Sequence, residues 1–386
     1  MSQVSIPGRG LTVSILSLSL LTVMAGAAVA PALGVIQAYF SDCGQTLVQM
    51  IISVPALFII ITNLIFPKLC RHLSTRTLVL LGLLFYTVGG CAAGLFDQIG
   101  LVLVMRALVG IGVGILMPLS TGLLAYYFPP ERQAGLMGYA SAMNQMGGVI
   151  ATLLAGLLSN LSWRASFLVY LLGLLSILLC LCFLPSDRLT QASSETESTA
   201  HPLRTYFVYI FAMFLLMSTF FLYPANFALE TSSNGAVPTP YIAPIMAGAD
   251  LVAFFGGLLF VRLKVLLRGH TRILAPLLFL LGYLFLLLPG GWTGTLLGSA
   301  CIGFANGVGI PFLISEVSMQ AGQAAATTVM PLLSAALYLS QFLSPILLQG
   351  VSILFSGLPH LPYLFALALA AVFALWSLRV PTAKHP

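Results

Sequence analysis

The sequence predicts an all-α integral membrane protein, with twelve transmembrane helices in two parallel halves of six. Its 386 residues are 59% hydrophobic and only 6% charged, whereas soluble domains carry roughly 25% charged residues. Apolar runs of about 20 residues, enough to cross a bilayer as a helix, recur along the chain. Lys and Arg cluster in alternate connections between these runs, which is typical of membrane topology. The composition excludes a soluble globular enzyme, a disordered chain and a disulfide scaffold.

The apolar runs give the expected helices in chain order. We expect the first run to remain as a membrane helix, because about 30 apolar residues are too many for the core of a cleaved signal peptide. The runs of the first half lie at 11–39, 46–67, 77–96, 100–128, 134–158 and 165–184, and those of the second half at 205–229, 240–261, 271–289, 293–314, 324–354 and 360–379.

One long polar stretch, residues 185–204, divides the chain. It predicts a cytoplasmic linker between an N-terminal half at 1–184 and a C-terminal half at 205–386. Three features recur in the second half: Pro31-Ala32 at an offset of 193, the basic loop starting at Lys68 at 194, and Gly112-Val113-Gly114-Ile115 at 195. Since six spans return the chain to the same side, a duplicated unit keeps its orientation, and the halves are expected to be parallel.

The basic residues set the expected orientation. Thirteen of the fifteen Lys and Arg residues fall in segments that are inside if the N-terminus is cytoplasmic. We therefore expect both termini in the cytoplasm, and we interpret the net charge of +6 as topology rather than affinity for nucleic acid. The inner basic loops are expected to contain Lys68, Arg71, Arg76, Arg262, Lys264 and Arg268.

Motifs in the first half resemble those of the major facilitator superfamily. The run that begins at Arg106 and contains Gly110 and Gly112 resembles the family's R-x-x-x-G-x-G motif. The segment 67–76 resembles its G-x-L-x-D-R-x-G-R-[KR] loop, with Arg71 where the acid is usual. The resemblance covers essentially the whole chain. It implies the major facilitator fold and a secondary transporter that works by alternating access.

Glycines in three spans are expected to let helices approach closely and bend. The spacing of Gly138, Gly147 and Gly156 also resembles the glycine-rich fifth helix of the family's drug–proton antiporters, although Ala151-Thr152 replaces its Gly-Pro pair. The expected packing glycines are Gly110, Gly112, Gly114, Gly138, Gly147, Gly148, Gly156, Gly307 and Gly309.

Two charged residues at membrane depth are candidates for coupling cargo to protons. Arg106 lies about 9 Å from the outer end of its span. It is expected either to face protein or water, or to snorkel to the interface, and the resemblance implies a role in proton or substrate coupling. Asp250 lies about 14 Å into the eighth span, on a stripe of small residues. It is interpreted as a proton carrier or an anchor for a cationic cargo, with a structural acid as the alternative.

Other polar and aromatic residues at membrane depth are candidates for the lining of a cargo cavity, or for hydrogen bonds between helices. They are Asn144, Gln145, Asn226, Asn306, Tyr223, Tyr338 and Gln341. So sparse a polar lining favours amphipathic organic compounds over sugars.

These features predict a proton-coupled exporter of small amphipathic compounds in the bacterial inner membrane. It is expected to be a monomer, with a small-molecule substrate, protons and the lipid bilayer as partners and no nucleic acid. Uptake of a small metabolite, by symport or facilitated diffusion, is the alternative within transport. An integral membrane enzyme is disfavoured because the scattered His and acidic residues form no catalytic cluster. No cofactor or metal is expected, since the chain has no metal-ligand spacing and no ATP-binding loop.

Overall fold

The computed structural model describes residues 8–187, 202–235, 237–288, 291–355 and 357–380, and the regular structure within them is helical. Most of the predicted linker therefore lies outside the described residues. The α-helices are α1 (Arg9–Ala27), α2 (Leu33–Tyr39), α3 (Gln45–His72), α4 (Thr75–Ala92), α5 (Ile99–Tyr127), α6 (Pro130–Ser159), α7 (Leu172–Phe183), α8 (Pro202–Asn234), α9 (Ile242–Leu267), α10 (Thr271–Leu287), α11 (Gly291–Leu354) and α12 (Leu361–Ser377).

Ten stretches of the described residues are long and apolar enough to cross a membrane. One of them, Thr239–Leu287, contains both α9 and α10, whereas α1 and α2 together form a single stretch, Arg9–Tyr39. The helix α12 is apolar but has only 17 residues. The all-α membrane architecture is confirmed, and the count of twelve spans stays a prediction.

The first span is interrupted between α1 and α2. Pro31 has no N–H to donate, and it lies in a short 3-10 turn, Ala30–Ala32. The N–H of Val29 bonds to the oxygen of Gly26 rather than to that of Ala25. The break therefore leaves the Ala25 oxygen without its regular helical donor.

Two predicted inner loops are helical instead. In the segment 67–76, α3 continues to His72, and only Leu73 and Ser74 lie outside helices before α4 begins. The helix α9 continues to Leu267, so Arg262 and Lys264 lie on a helix and not in a loop. The sequence between 261 and 267 contains neither Gly nor Pro, so no residue there ends the helix.

The tenth and eleventh predicted spans lie in one helical element. The helix α11 has 64 residues and contains two membrane candidates, Gly291–Gln320 and Val329–Leu354. The connection expected at 315–323 contains one Glu, one Met, one Ala and two Gln among its nine residues, and no Pro. These residues favour helix, which explains why helical geometry runs through a segment whose polarity predicted a loop.

The chain divides into two compact units, Met1–Ala192 and Ser193–Pro386. In the first unit, glycines of α5 touch main-chain atoms of both neighbouring helices. A Cβ on Gly110 would overlap the oxygen of Pro55 in α3, and a Cβ on Gly114 would lie 2.6 Å from Thr62 of the same helix. A Cβ on Gly112 would lie 2.6 Å from the oxygen of Gly82 in α4. A Cβ at any of these three positions would therefore force α5 away from α3 or α4.

In the second unit, α11 packs on α9 through two glycines. A Cβ on Gly303 would overlap the oxygen of Ala249, and one on Gly307 would overlap the oxygen of Ala253. Gly307 thus faces α9 as Gly114 faces α3, an offset of 193 rather than the 195 expected from the sequence match with Gly112. Gly110 and Gly303, which meet Pro55 of α3 and Ala249 of α9, are also separated by 193 residues.

The remaining packing glycines differ from one another. A Cβ on Gly309 would overlap Leu216 of α8, and one on Gly147 would overlap the oxygen of Leu20 in α1. Gly148 and Gly156 are buried on α6. Gly138 is exposed, and a Cβ there would meet no atom within 4 Å. The expected packing role of Gly138 is therefore wrong, because no described neighbour lies within reach of a Cβ at this part of α6.

Candidate functional site

Arg106 of α5 is fully buried, with 0% of its surface exposed. Its Nε donates to the main-chain oxygen of Ile51 at 2.7 Å, its Nη1 to the hydroxyl of Tyr170, and its Nη2 to the oxygen of Ala25. All three guanidinium nitrogens are thus bonded within the first unit. Arg106 faces protein, and the alternative that it snorkels to the interface is wrong.

The two carbonyl groups that hold Arg106 lack their regular helical donors, and the local sequence explains why. In α3, the oxygen of Ile51 has no helical partner, because Pro55 four residues later has no N–H. In α1, the oxygen of Ala25 loses its regular donor at the break before Pro31. A burial that would otherwise cost several kcal/mol is therefore offset by the Ile51 acceptor that Pro55 leaves open and by the Ala25 acceptor that the break after α1 leaves open.

Tyr170 completes this cluster. Its hydroxyl donates to the oxygen of Ala25 at 2.7 Å, and its ring centroid lies 5.4 Å from Cζ of Arg106. The ring of Tyr86 packs edge-on against Tyr170, with centroids 5.2 Å apart. Tyr170 was not singled out from the sequence, although its position three residues after Phe167 placed it in the sixth span. One indirect indication was present in the sequence: a buried Arg needs hydrogen-bond acceptors at the same depth in the membrane.

Asp250 lies on α9 and is half-buried. The hydroxyl of Tyr223, on α8, is within range of electrostatic interaction with Asp250 and bonds to Oγ of Ser299, on α11, at 2.9 Å. Two of the predicted residues, Asp250 and Tyr223, are thus within electrostatic range of each other in the second unit. Whether either binds cargo or protons stays a prediction.

The stripe of small residues expected to carry Asp250 lies one position away from it. The buried face of α9 repeats as Ile242, Met246, Ala249, Ala253, Gly256 and Phe260. Ala249, not Asp250, therefore lies in the line of closest contact with α11. Asp250 sits at the edge of this face, where a polar side chain can be reached by other groups.

The other predicted lining residues are distributed over both units. Asn144 donates to the hydroxyl of Thr22 at 2.8 Å, so it joins α6 to α1. Asn226 is fully buried and donates to the oxygen of Leu222 in its own helix. Oδ1 of Asn306 is buried and has no hydrogen-bond partner among the described residues. Gln145 and Tyr338 are half-buried, and Gln341 is 9% exposed.

Glu316 lies on α11, two residues beyond the predicted tenth span, and it is almost completely buried, at 1% exposure. Its carboxylate pairs with Nζ of Lys264 at 2.9 Å, and the same ammonium donates to the hydroxyl of Ser315 at 2.6 Å. Lys264 is therefore not a loop residue that only sets topology. The spacing of 52 residues between the partners gave no signal for this pair.

The remaining inner basic residues divide into bonded and exposed ones. Arg76 donates to the oxygen of Leu181 near the end of α7. The exposed residues are Lys68, Arg71, Arg262 and Arg268. Arg71, which stands where the resemblance leads one to expect an acid, has no ion pair among the described residues. The described residues also contain no group of His, Cys and acidic side chains that could hold a metal ion.

A third polar pair lies at the opposite end of the second unit from Lys264. Nδ1 of His360, immediately before α12, lies 3.0 Å from Oε2 of Glu230, near the end of α8. Neither residue was a candidate from its local sequence. The pair is only partly exposed, with 36% of the His360 side chain and 17% of the Glu230 side chain accessible.

The chain is similar to known transporters in sequence. Residues 15–345 match the family model described as Major Facilitator Superfamily. The chain is 28% identical over 115 residues to Multidrug resistance protein 3 of Bacillus subtilis (strain 168), which is 29% of this chain and 22% of that protein. It is 27% identical over 147 residues to the quinolone resistance protein NorA of Staphylococcus aureus (strain Mu50 / ATCC 700699), 37% of each. The matched segments thus span well under half the length of these curated relatives.

The fold is similar to that of a solved structure over nearly its whole length. A bacterial homolog to the human lysosomal transporter Spinster, in an inward-facing and occupied conformation, superposes with a TM-score of 0.74 at 16% identity, covering 97% of this chain and 98% of that chain. At this identity the likeness shows the fold alone. Since the family model covers most of the chain, the protein is a transporter and not an enzyme. This multi-pass membrane protein belongs to the major facilitator superfamily.

Proposed function

We propose that this transporter exports small amphipathic compounds in exchange for protons. The observation that carries the proposal is Asp250, a half-buried carboxylic acid inside the membrane helix α9. A carrier driven by protons needs a group at membrane depth that gains and loses a proton, and an intramembrane carboxylate is such a group. Import with protons would use the same group, so the direction of transport is part of the test.

The cargo class is inferred from the relatives and from the residues at membrane depth. The two relatives are named for multidrug and quinolone resistance. The candidate lining residues contain tyrosines and amides but few charges, which suits partly apolar organic molecules better than densely hydroxylated ones. A fluorescent quinolone is therefore the first probe.

In this proposal Arg106 is a fixed charge rather than a moving one. Its three bonds hold the guanidinium inside the first unit. A permanent cation in low dielectric favours negative charge nearby. We expect Arg106 to bias the protonation of groups that enter its field during transport.

We further propose twelve spans in two six-helix halves, a monomer, and both termini in the cytoplasm of a bacterial cell. Three predicted outer segments meet in the first unit, where Asp97 bonds to Tyr39 and pairs with Arg164, which supports an alternating topology. Cysteines placed at Gln98 and Ser194, in a chain without the six native cysteines, should react with an impermeant maleimide from outside and inside, respectively. Labelling of both from outside would contradict the topology.

The coupling is tested with the purified full chain in proteoliposomes. Asp250→Asn is compared with Asp42→Asn, the same change at an exposed acid. We expect Asp250→Asn to lose pH-gradient-driven movement of the quinolone, whereas exchange of quinolone without a gradient survives, because an amide resembles a protonated acid in size and hydrogen bonding. The control should retain both activities. Driven transport by Asp250→Asn at the wild-type rate would overturn the proposal.

A further inference from the structure

Arginine side chains lie close together where α10 begins and α12 ends. Nη1 of Arg272, in the first turn of α10, donates to the main-chain oxygens of Leu378 and Val380 at 3.1 and 3.2 Å. These two oxygens flank Arg379, which follows the end of α12 and is exposed. The guanidinium of Arg272 therefore lies beside the backbone of Arg379, at one end of the second unit.

A third arginine lies in the turn that leads into α10. The hydroxyl of Thr271, the first residue of α10, donates to the main-chain oxygen of Arg268 at 2.7 Å. Arg268 is exposed, and its φ of 49° is one that residues other than glycine rarely adopt. The turn therefore holds Arg268 next to the start of α10, on the same end of the unit as Arg272.

These three positive charges have no acidic partner among the described residues. None of the ion pairs found there includes Arg268, Arg272 or Arg379. The first turn of α10 contains no acidic residue, and its N-cap, His270, makes no side-chain capping bond. The positive end of the α10 dipole adds to the same field. Within the described residues, this end of the second unit is therefore positive and lacks a counter-charge.

Arg272 also keeps donors for a ligand. A guanidinium has five N–H donors, but both hydrogen bonds of Arg272 to the described residues start from Nη1. Its Nε is buried and has no partner among those residues. An oxyanion that reaches the partly exposed side chain can therefore accept from Arg272 without breaking the two bonds that fix the guanidinium.

Trp376, in the last turn of α12, indicates that this end lies at the level of the lipid headgroups. Its indole Nε1 donates to the main-chain oxygen of Val208 in α8 at 3.0 Å, and Cζ of Arg379 lies 5.3 Å from its ring centroid. Tryptophan is enriched where the hydrocarbon core of a membrane meets the headgroups. Apolar side chains near Trp376 in the chain or in space are 51–69% exposed, namely Phe207, Leu375 and Leu378. They offer a surface for acyl chains next to the arginines.

We propose that Arg268, Arg272 and Arg379 bind the phosphate group of an anionic phospholipid, whose acyl chains lie along the exposed apolar surface beside Trp376. Guanidinium groups suit a phosphate because their N–H groups can bond two of its oxygens at once. The bound lipid joins the start of α10 to the end of α12. In the proposed topology this end faces the cytoplasmic leaflet, where anionic lipids attract basic residues. The inference assumes nothing about cargo or proton coupling.

The three tryptophans of the chain allow a test that reports on this place alone. Trp163→Phe with Trp292→Phe leaves Trp376 as the single tryptophan. Trp163→Phe with Trp376→Phe leaves Trp292, which is 41% exposed and lies beyond the other end of α10. Bromine on a lipid acyl chain quenches the fluorescence of a tryptophan that the chain contacts. The two variants therefore compare lipid binding at opposite ends of one helix.

The full chain is placed in mixed vesicles of phosphatidylcholine and phosphatidylglycerol, with bromine on one lipid or the other. We expect phosphatidylglycerol to bind beside Trp376 about tenfold more tightly than phosphatidylcholine, and the two lipids to bind about equally beside Trp292. Arg272→Gln and Arg379→Gln should each reduce this preference about fivefold. The control Arg262→Gln removes the same charge from an exposed position on α9, and it should leave the preference within about twofold.

Three outcomes would overturn the inference. Equal quenching of Trp376 by both lipids would mean that no anionic lipid is preferred there. An equal loss of preference in Arg262→Gln and Arg272→Gln would show diffuse attraction instead of a site. Displacement of the lipid by inorganic phosphate at millimolar concentration would indicate a site for the free anion.

Arg379→Gln is the decisive variant, because Arg272→Gln also removes two bonds to the end of α12. Far-UV circular dichroism checks that each variant is folded. A folded Arg379→Gln with the wild-type preference for phosphatidylglycerol would contradict the proposed phosphate contact. The result is independent of proton coupling, which Asp250→Asn tests separately, so either proposal can fail while the other stands.

Discussion

Nε of Arg106 lies 2.7 Å from the main-chain oxygen of Ile51, an acceptor that exists because residue 55 is proline. The cation is therefore held by backbone dipoles and one tyrosine hydroxyl, with no carboxylate bonded to it among the described residues. Its charge is solvated by the protein but not neutralised. Such a charge keeps a long-range effect on its surroundings that an ion pair would lack.

Replacement of Arg106 should uncouple transport. Arg106→Ala removes the fixed charge and leaves two carbonyl groups and the Tyr170 hydroxyl with fewer partners, so we expect driven transport to fall about 100-fold and the free energy of unfolding to fall by about 2–3 kcal/mol. Arg106→Lys should restore little, because one ammonium cannot reach three acceptors in different directions. Quinolone flux and thermal unfolding in detergent measure both effects. Arg262→Ala, at an exposed position, is the control, and wild-type flux in Arg106→Ala would show a purely structural residue.

A second prediction concerns Pro55 itself. Pro55→Ala restores an N–H that can bond to the Ile51 oxygen, which then competes with Arg106 for this acceptor. We expect driven transport to drop about threefold or more as the guanidinium loses a fixed position, while the unfolding temperature stays the same or rises, since alanine favours helix by about 3 kcal/mol over proline. Pro67→Ala in the same helix is exposed and should change transport little. Equal transport in the two variants would contradict the role assigned to the Ile51 carbonyl.

Removing one member of the buried ion pair of Lys264 and Glu316 should lower the free energy of unfolding strongly, whereas replacing both members with uncharged residues should lower it little. Lys264→Met leaves the carboxylate of Glu316 without its ammonium at 1% exposure, and we expect a loss of about 3 kcal/mol or more in the free energy of unfolding. Adding Glu316→Gln to Lys264→Met should recover most of this loss, because no buried charge remains. Chemical unfolding in detergent measures the series, with Arg262→Met as the exposed control. Additive losses in the double variant would mean that the two residues act independently.

The contact between α9 and α11 should not tolerate a single added carbon. A Cβ on Gly307 would overlap the main-chain oxygen of Ala253, so Gly307→Ala must separate the helices. We expect the free energy of unfolding to fall by about 1–3 kcal/mol. Gly138→Ala, where a Cβ meets nothing within 4 Å, should stabilise by up to about 1 kcal/mol through helix propensity. Opposite shifts of the melting temperature would support both assignments, and a stable Gly307→Ala would refute the packing.

The fold class followed from the sequence because a membrane imposes simple rules. Apolar runs and clustered basic residues report span and orientation directly, and the glycines at 110, 112 and 114 showed their packing role through their spacing. The positions of helix ends were less well predicted. Lys264 was expected in a loop because charge usually marks the interface, but its pairing with Glu316 lets α9 continue to Leu267.

The candidate site was predicted only in part. Arg106 and Asp250 were found because a charge at membrane depth is rare enough to need a reason. Their partners were not found, since Ile51 and Ala25 act through backbone oxygens, which carry no mark in the sequence. The pair of Glu230 and His360 is separated by 130 residues, and only the packing of α12 against α8 brings its members together.

The contact between α9 and α11 has a mechanical consequence. At Gly303 and Gly307, α11 meets the main-chain oxygens of Ala249 and Ala253 in α9, so neither of these two points has a side chain that could change rotamer to absorb a shift. We therefore expect α9 and α11 to move together as one rigid body through the transport cycle. Asp250, on one helix, would then keep a constant distance from Ser299 on the other, so that any change in its proton affinity must come from the remaining neighbours.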